Sequence, residues 1–338
     1  IMEMPYNDII RKFIDMYAGR LRNQVSFMLS ACNFYMPIFE EALDAYGLPL
    51  ELRYLPIIES ALNPSAVSRA GASGLWQFMI GTGKIYGLES NSLVDERRDP
   101  IKATWAAARY LKEMYDIYGD WNLVIAAYNC GPGTINKAIR RANGETDYWK
   151  IYNYLPKETR GYVPAFIAAN YVMTYYCDHN ICPMETNIPA STDTVQVNKN
   201  LHFEQIADLC NVPLDQIKSL NPQYKKQMIP GDSKPYTLRL PIDAISTFID
   251  KQDTIYAHRA DELFRNRKTV AIKEITPSTR KTTTAVAGKG KLTYYTIKSG
   301  DTLSTIAGKY GVTIKDIQRW NGMSNTKIAA GKRLKIYK

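Results

Sequence analysis

The sequence predicts a mainly α-helical domain followed by two small βααβ modules, so the fold class is mainly α with a smaller α+β part. Three observations predict it: helical spacing of apolar residues over 8–180, strand-like alternation that begins near residue 190, and an internal repeat within residues 191–338. A chain of 338 residues also exceeds the usual size of one hydrophobic core. The expected domains are 1–190, with its motifs within 50–175, a degenerate first module at 191–241, a helix and flexible basic linker at 242–292, and a second module at 293–338.

Helix follows helix through the N-terminal domain. The stretch from Asn7 has apolar residues at helical spacing and ends on Gly47. A second helix begins with Pro100 and stops at Gly119, and "WNLVIAAYNCGPGTINKAIRRA" breaks at Gly131. Few stretches alternate with a period of two, so domain 1–190 is predicted to be all-α.

The C-terminal half repeats a strand–helix–helix–strand unit at a constant offset of 100 residues. "TDTVQVNKN", "LHFEQIADLCNVPLDQIKSLNP" and "PYTLRLP" form the first copy, and "YYTIKSGDTLSTIAGKYGVTIKDIQRWNGMSN" with "KRLKIY" forms the second. Ile217 aligns with Ile317 and Asn221 with Asn321, which indicates two copies of one fold. "PSTRKTTTAVAGKGK", at 277–291, has almost no large apolar residues and predicts a flexible linker.

The charge is concentrated in the C-terminal half. Residues 1–190 carry 18 Lys+Arg and 20 Asp+Glu, whereas residues 191–338 carry 25 and 13, so the net charges are −2 and +12. The basic half is suited to contact with an anionic surface, although a solvated linker explains most of these lysines equally well. Neither a helix-turn-helix nor an RNP pattern is present, so no nucleic-acid partner is expected. No apolar run reaches about 18 residues, so no transmembrane segment is expected in this chain.

The five cysteines show neither a CxxC motif nor histidine-paired zinc spacing. We therefore expect no metal and no cofactor, and we interpret most of these cysteines as small buried residues. Cys177 and Cys182 are close enough in sequence to form a disulfide in an exported protein, and this alternative stays open.

Glu59 stands within "LPIIESALNP", at the end of an apolar run. A carboxyl group shielded by apolar neighbours has a raised pKa, which keeps its proton available for general acid catalysis near neutral pH. A single Glu at a helix end is more often structural, so other strings must support this role. The remaining acids of the domain stand mostly in polar stretches such as "VDERRDP", at 94–100, and are expected to be solvated or to cap helices; Glu158 is the acid most suited to join Glu59.

Three further strings offer polar side chains for a binding site. "GASGLWQFM" contains Gln77, and "AAYNCGPG" places Tyr128 and Asn129 where a helix breaks. "PKETRGYVPAF" places Glu158 and Tyr162 four residues apart, on one helix face. Each residue alone also has a structural explanation, such as an acid at a helix N-terminus or a packing tyrosine.

Together these strings resemble the soluble-type lytic transglycosylase family, which is related to goose-type lysozyme. The family's E-S-x-x-N-P, G-A-x-G-L-x-Q, A-Y-N-x-G and E-T-x-x-Y-V patterns appear in order at 59–64, 71–77, 127–131 and 158–163. The resemblance implies that domain 1–190 is catalytic, with Glu59 as the acid and then the base. It further implies that seven residues bind substrate: Ser68, Gln77, Met79, Tyr128, Asn129, Glu158 and Tyr162. Among them, Ser68 is expected to form a hydrogen bond near the N-acetyl group.

The second module resembles LysM modules, which bind glycans that contain N-acetylglucosamine. The matching string is "YTIKSGDTLSTIAGKYGV", and the glycan-binding residues expected from it are Gly300, Asp301, Thr302, Leu303, Ile328 and Gly331. Helix capping by Asp301 or Thr302 is a structural alternative. In the first copy, Lys199, Asn200, Leu201 and His202 stand in place of the S-G-D-T string, so whether this copy binds glycan stays an open question.

The resemblance implies cleavage of the β-1,4 bond between N-acetylmuramic acid and N-acetylglucosamine in peptidoglycan, with a 1,6-anhydro product and glycan strands as the partner. Two rival functions remain, a lysozyme-like hydrolase of peptidoglycan or chitin and a non-catalytic wall-binding scaffold. The N-terminus lacks a signal-like segment. The substrate nevertheless implies a periplasmic or wall-facing location, with any membrane anchor on a removed N-terminal signal.

Overall fold

The computed structural model contains two compact units, Ile1–Ile275 and Thr276–Lys338, and we describe each by itself. The residues that the structure describes are 2–186, 188–189, 191–264, 292–298, 301–323, 326 and 328–337. The predicted linker at 277–291 and the predicted glycan-binding residue Gly300 lie outside these residues.

Helices dominate the first part of the first unit, as predicted for an all-α domain. They are α1 (Asp8–Ala18), α2 (Arg22–Ala45), α3 (Leu55–Ser60), α4 (Ile80–Ile85), α5 (Pro100–Tyr118), α6 (Trp121–Cys130), α7 (Pro132–Arg141), α8 (Tyr148–Ile151) and α9 (Lys157–Thr174). Short 3-10 turns at Leu50–Tyr54, Glu96–Arg98 and Tyr152–Tyr154 connect some of them.

Local sequence signals fix the helix ends. The Asn7 side chain accepts hydrogen bonds from the first free N–H groups of α1. Asp99 does the same for α5, where Pro100 occupies the first helical position, and Gly119 ends that helix. Asp120 caps α6 directly afterwards. These caps keep neighbouring helices separate and set where each motif falls.

The core of the helical domain lies where α1 packs on α9, α2 on α5, and α6 on α9. Trp76 is fully buried in it, 5.4 Å from the Phe39 ring in an edge-to-face contact. Its indole Nε1 donates a hydrogen bond to Thr104 Oγ1 at 2.9 Å. Burial of this large side chain anchors the turn-rich 71–78 loop, which carries one of the sequence motifs.

A small mixed module follows in the same unit. Its elements are β1 (Thr192–Val197), β2 (Asn200–His202), α10 (Phe203–Cys210), α11 (Leu214–Leu220), β3 (Met228–Pro230), β4 (Tyr236–Pro241), α12 (Ile242–Asp250), α13 (Gln252–Ala257) and α14 (Ala260–Phe264). The outer strands pair antiparallel from Thr192↔Pro241 to Val197↔Tyr236, and β2 pairs with β3. Helix α12 packs on α10 and on both outer strands, so it extends this module.

This first module is docked on the helical domain through the 88–98 loop. Lys225 N donates to Leu93 O at 2.8 Å, and Asp95 N donates to Gln223 O at 2.9 Å. Leu93 and Val94 are buried within the module's own hydrophobic core. A loop of the helical domain is therefore packed into the core of the first module, and this contact holds the module against the helical domain.

The second unit has the same strand–helix–helix–strand order. Its elements are β5 (Leu292–Thr296), α15 (Leu303–Tyr310), α16 (Ile314–Asn321) and β6 (Arg333–Tyr337), with β5 and β6 antiparallel from Leu292↔Tyr337 to Thr296↔Arg333. The fold predicted from the repeat is confirmed, since both copies are βααβ modules.

The aligned asparagines show why the repeat holds its register. Asn221 donates to Ile217 O and to Arg239 O, and it accepts from Arg239 N. In the second copy Asn321 makes the corresponding three bonds, to Ile317 O, Lys335 O and Lys335 N. Each asparagine thus ties the end of the second helix to the closing strand of its module.

The structure differs from the sequence expectation for the cysteines. Of the five cysteines only Cys210 is buried, whereas Cys177 and Cys182 are exposed, so the interpretation of most of them as buried is wrong. All five are free thiols. Among the described residues, no helix is both long enough and apolar enough to cross a membrane.

Candidate active site

Glu59 lies at the end of α3, on the wall of a cavity of about 430 Å³. The helix stops there because Ala61 and Leu62 take left-handed backbone conformations, with φ of 52° and 58°. Non-glycine residues in that region cost about 1–3 kcal/mol each and cluster at functional sites. Ser60 Oγ donates to Pro56 O and to Leu75 O, both at 3.0 Å, and so joins this helix end to the 71–78 loop.

The carboxyl group of Glu59 is tuned to hold a proton near neutral pH. Its pKa is raised to about 7, chiefly by burial and further by the negative charge of Glu158. A hydrogen bond donated by the Tyr162 hydroxyl to Glu59 Oε1 opposes this shift, because it stabilises the charged form. These are the properties that the sequence predicts for a general acid, although its catalytic role stays a prediction.

Two tyrosines accompany the carboxyl group. Burial, and then the charge of Glu59, raise the pKa of Tyr128 and that of Tyr162 well above the ordinary value. Both therefore remain protonated hydrogen-bond donors at neutral pH. The Tyr128 hydroxyl donates to Trp76 O at 2.7 Å, which connects α6 to the 71–78 loop.

Ser68 and Gln77 line the same cavity as Glu59. Ser68 Oγ accepts from Ala72 N at 3.0 Å. Gln77 has a left-handed backbone, with φ of 48°, and its Nε2 donates to Ala66 O at 3.2 Å and to Gly74 O at 2.8 Å. Both side chains thus shape the 66–77 loop as well as facing the cavity.

The other three predicted substrate-binding residues are Met79, Asn129 and Glu158, and none of them is among the described residues that line the cavity. Met79 is 45% exposed. Asn129 Oδ1 accepts from Thr159 Oγ1 at 2.9 Å, so it ties α6 to α9. Glu158 is exposed and reaches Glu59 through its charge. Their roles toward a substrate stay predictions.

The "VDERRDP" stretch departs from the sequence expectation. Asp95 is 1% exposed in its side chain and Glu96 is also buried, so the expectation of a solvated stretch is wrong for both. Arg97 donates to both carboxylate oxygens of Asp95, each at 2.8 Å. It also donates to Gly71 O at 2.8 Å and to Phe78 O at 2.9 Å. This buried arginine therefore holds both ends of the 71–78 loop.

One wall of the cavity is formed by residues that belong to none of the sequence motifs. This wall comes from the first two helices and the turn between them, and it consists of Tyr17, Leu21, Gln24 and Met28. These residues occupy ordinary positions of amphipathic helices, where nothing in the sequence distinguishes a cavity wall from a core face. Tertiary packing brings them to the same cavity as residues of the 66–77 loop.

The predicted glycan-binding residues of the second unit have visible structural roles. Thr302 caps α15 through a capping box, which favours the structural alternative for this position, and Asp301 accepts from Tyr295 Oη and Lys298 N, both at 2.8 Å. Leu303 is 2% exposed, in the module core. Ile328 packs against that core, and Gly331 N donates to Ile297 O. Glycan binding by these residues stays a prediction.

Comparison with known proteins matches three stretches of the chain to domain families. Residues 36–151 match the transglycosylase SLT domain, residues 191–257 the LysM-like domain of lytic transglycosylase MltD, and residues 295–336 the LysM domain. Membrane-bound lytic murein transglycosylase D of Escherichia coli K12 is 32% identical over 341 residues, which covers 99% of this chain and 70% of that protein.

Other relatives match a smaller share of the chain. Soluble lytic murein transglycosylase of Escherichia coli K12 is 33% identical over 124 residues, or 35% of this chain and 19% of that protein. The crystal structure of the 70 kDa soluble lytic transglycosylase SLT70 from Escherichia coli overlaps 42% of this chain and 24% of that chain, with 29% identity and a TM-score of 0.37.

The helical domain with its tuned glutamate is of the lytic transglycosylase class. The chain belongs to the lytic murein transglycosylase family, and it joins an SLT domain to two LysM-type modules. The resemblance indicated by the four sequence motifs is thereby confirmed, as is the prediction of an enzyme.

Proposed function

We propose that this protein cleaves the β-1,4 bond between N-acetylmuramic acid and N-acetylglucosamine in peptidoglycan and forms a 1,6-anhydro end without adding water. The observation that carries the proposal is the half-buried Glu59, whose pKa of about 7 leaves it able both to give and to take a proton. Membership of the lytic murein transglycosylase family supports it.

In the first step protonated Glu59 gives its proton to the glycosidic oxygen, and the bond from that oxygen to C1 breaks. The 2-acetamido oxygen of the N-acetylmuramic acid unit that contains this C1 then bonds to C1. This new bond replaces the electron pair that leaves with the glycosidic oxygen. Ser68 and Gln77, which line the cavity, are proposed to hold that sugar. Their positioning replaces part of the work that a second carboxylate does in most glycoside hydrolases.

In the second step the Glu59 carboxylate takes the proton from the sugar's 6-hydroxyl. The oxygen attacks C1, the bond from C1 to the acetamide oxygen breaks, and Glu59 is protonated again. The neutral donors Tyr128 and Tyr162 lie near Glu59 and stabilise the charge that develops during both steps.

The mass of the products tests this function. Purified murein is digested with the wild-type protein and the soluble fragments are weighed by mass spectrometry. Anhydro ends are expected, and fragments heavier by one water would indicate a lysozyme-like hydrolase instead. Glu59→Gln is expected to lose activity; solubilisation at the wild-type rate would reject the assignment of the acid. A wild-type protein that pellets with sacculi but releases nothing would favour the scaffold function.

The second unit is proposed to hold the glycan strand while the SLT domain cuts it. Its match to the LysM domain supports this division. Deletion of 292–338 is expected to weaken co-sedimentation with sacculi and to leave turnover of soluble glycan intact. Loss of that turnover would contradict the division.

The proposed substrate sets the location and partners. Peptidoglycan strands are the partner, and the protein works at the cell wall. A periplasmic location, a membrane anchor, and contact of the basic C-terminal half with an anionic surface are the finer parts of this proposal. The net charge of +12 on residues 191–338 supports the last of these.

A further inference from the structure

Gln24 places an exposed amide on the wall of the Glu59 cavity. It lies on α2 and lines the cavity together with Tyr17, Leu21 and Met28. Tyr17 and Met28 are buried and Leu21 is half-buried. Gln24, in contrast, is exposed. Its amide is therefore the polar group of this wall that a ligand reaches most easily.

Other polar side chains of the cavity are partly bonded to the protein itself. Both hydrogens of the Gln77 amide nitrogen are in use, because Nε2 donates to Ala66 O and to Gly74 O. The Ser60 hydroxyl is bonded to two backbone carbonyl groups. The side chain of Gln24, however, takes part in no hydrogen bond between described residues. Its amide therefore keeps two N–H donors and a carbonyl acceptor for a ligand.

The chemistry of this wall matches an acetamido group. Such a group has an N–H donor, a carbonyl acceptor and an apolar methyl group, and the Gln24 amide can pair with both polar parts. Leu21 and Met28, on the same wall, offer apolar surface for the methyl group. Among the described residues that line the cavity, Glu59 alone is ionisable as an acid or base near neutral pH, so the lining is otherwise suited to a neutral ligand. An N-acetylated sugar meets these requirements.

We propose that Gln24 binds the 2-acetamido group of the N-acetylglucosamine unit next to the bond that is cut, and so makes the enzyme selective for N-acetylated strands. The acetamido group of the muramyl unit is not its target, because that group must stay free to bond to C1. Gln24 precedes the residues 36–151 that match the SLT domain, so that match assigns it no role. The inference rests on the proposed function for its substrate, although cleavage with or without water can test it.

The test removes the Gln24 amide and compares two soluble tetrasaccharides. One is the murein tetrasaccharide freed of stem peptides, and the other is the same compound with its glucosamine units de-N-acetylated. Gln24→Ala is expected to raise KM about tenfold for the first compound and to leave KM for the second unchanged, with kcat unaffected. Gln24→Glu is expected to lower KM for the second compound, because a carboxylate pairs with its ammonium groups.

Asn23→Ala is the matched control on the same helix. Asn23 is exposed like Gln24 but is not among the described residues that line the cavity, so its substitution should change neither KM. Thermal melting checks that each variant is folded. Products are counted as all new ends, whether anhydro or hydrolysed, so the KM values do not depend on which end forms.

An equal rise in KM for both compounds in Gln24→Ala would overturn the proposal, because a purely structural role of Gln24 would affect both alike. An unchanged KM for the N-acetylated compound would overturn it as well. Hydrolysed ends alone would reject the proposed function and still leave the comparison of KM values valid. If the wild-type protein cleaves neither compound, NMR of the Glu59→Gln protein decides. The side-chain amide signal that Gln24→Ala removes should shift when the N-acetylated tetrasaccharide is added, and a signal that stays in place would overturn the inference.

Discussion

The hydroxyl group of Tyr162 donates a hydrogen bond to the carboxylate of Glu59 across 103 residues of sequence. It ties α9 to the end of α3, at the cavity wall. Since the bond stabilises the charged carboxylate, it keeps the pKa of Glu59 lower than burial alone would set it. The pH dependence of the reaction should therefore report on this contact.

Tyr162→Phe should move the alkaline limb of the rate profile to higher pH. The first step needs protonated Glu59, so the wild-type rate falls as pH rises through its pKa of about 7. Removal of the hydroxyl removes a contact that lowers that pKa. The kcat profile on soluble glycan measures the limb, and Tyr154→Phe, at an exposed tyrosine, is the control. A limb that stays in place or moves to lower pH would contradict the role of Tyr162.

Glu158→Gln should move the same limb in the opposite direction. The charge of Glu158 raises the pKa of Glu59, so its neutralisation lowers that pKa and brings the fall in rate to lower pH. High salt should shrink the difference between variant and wild type, because Glu158 is exposed and salt screens its charge. Glu145→Gln, at another exposed acid, should leave the limb unchanged.

Glu59→Gln should stabilise the fold at neutral pH. The folded-state pKa of about 7 exceeds the ordinary value of 4.5, so the stability linked to the bound proton is complete below about 4.5 and is lost as pH rises through 7. Glutamine does not ionise, so the variant gains up to about 3 kcal/mol over wild type across that range. Urea unfolding at several pH values measures the gain, with Glu145→Gln as the control. A difference that does not vary with pH would contradict burial as the cause.

The helical character of the first domain and the shielded carboxyl group of Glu59 could be predicted from sequence, because apolar periodicity and short motifs are local signals. The module fold was accessible because the repeat shows it twice, and the paired roles of Asn221 and Asn321 explain why that register is kept. Contacts between motifs were not accessible. The motifs single out both Glu59 and Tyr162, but only the packing of α9 against α3 brings these two side chains together.

Burial of a polar stretch also depends on residues far away in the chain. "VDERRDP" has the composition of a solvated turn, and no local pattern marks it as buried. The docked module contributes to its burial. Lys225 Nζ, from that module, donates a hydrogen bond to Asn91 O, 134 residues earlier in the chain, and lies 3.9 Å from the Asp95 carboxylate. The cavity wall from α1 and α2 escaped prediction for the same reason, since neither helix carries a motif.

Asp95→Asn should destabilise the first unit strongly. The substitution removes the charge that faces the buried Arg97 guanidinium and the half-buried Lys225. Breaking a buried ion pair costs about 3–5 kcal/mol. Asp116→Asn is the control, because Asp116 pairs with Lys112 on an exposed helix face, where such pairs contribute about 0.3–0.5 kcal/mol. Equal losses in urea unfolding would contradict the importance of the buried pair.

Gly74→Ala should both destabilise the fold and disturb the cavity. Gly74 has φ of 87°, and a Cβ atom there would lie 1.7 Å from Arg97 O, so the 71–78 loop or the arginine backbone must move. The strain and the clash together should cost more than about 2 kcal/mol. Because Gln77 bonds to Gly74 O, the displacement should also raise KM for soluble glycan. Gly81→Ala, in α4 with open space around its Cβ position, should be neutral or slightly stabilising, and similar melting temperatures for the two variants would contradict the close approach at Gly74.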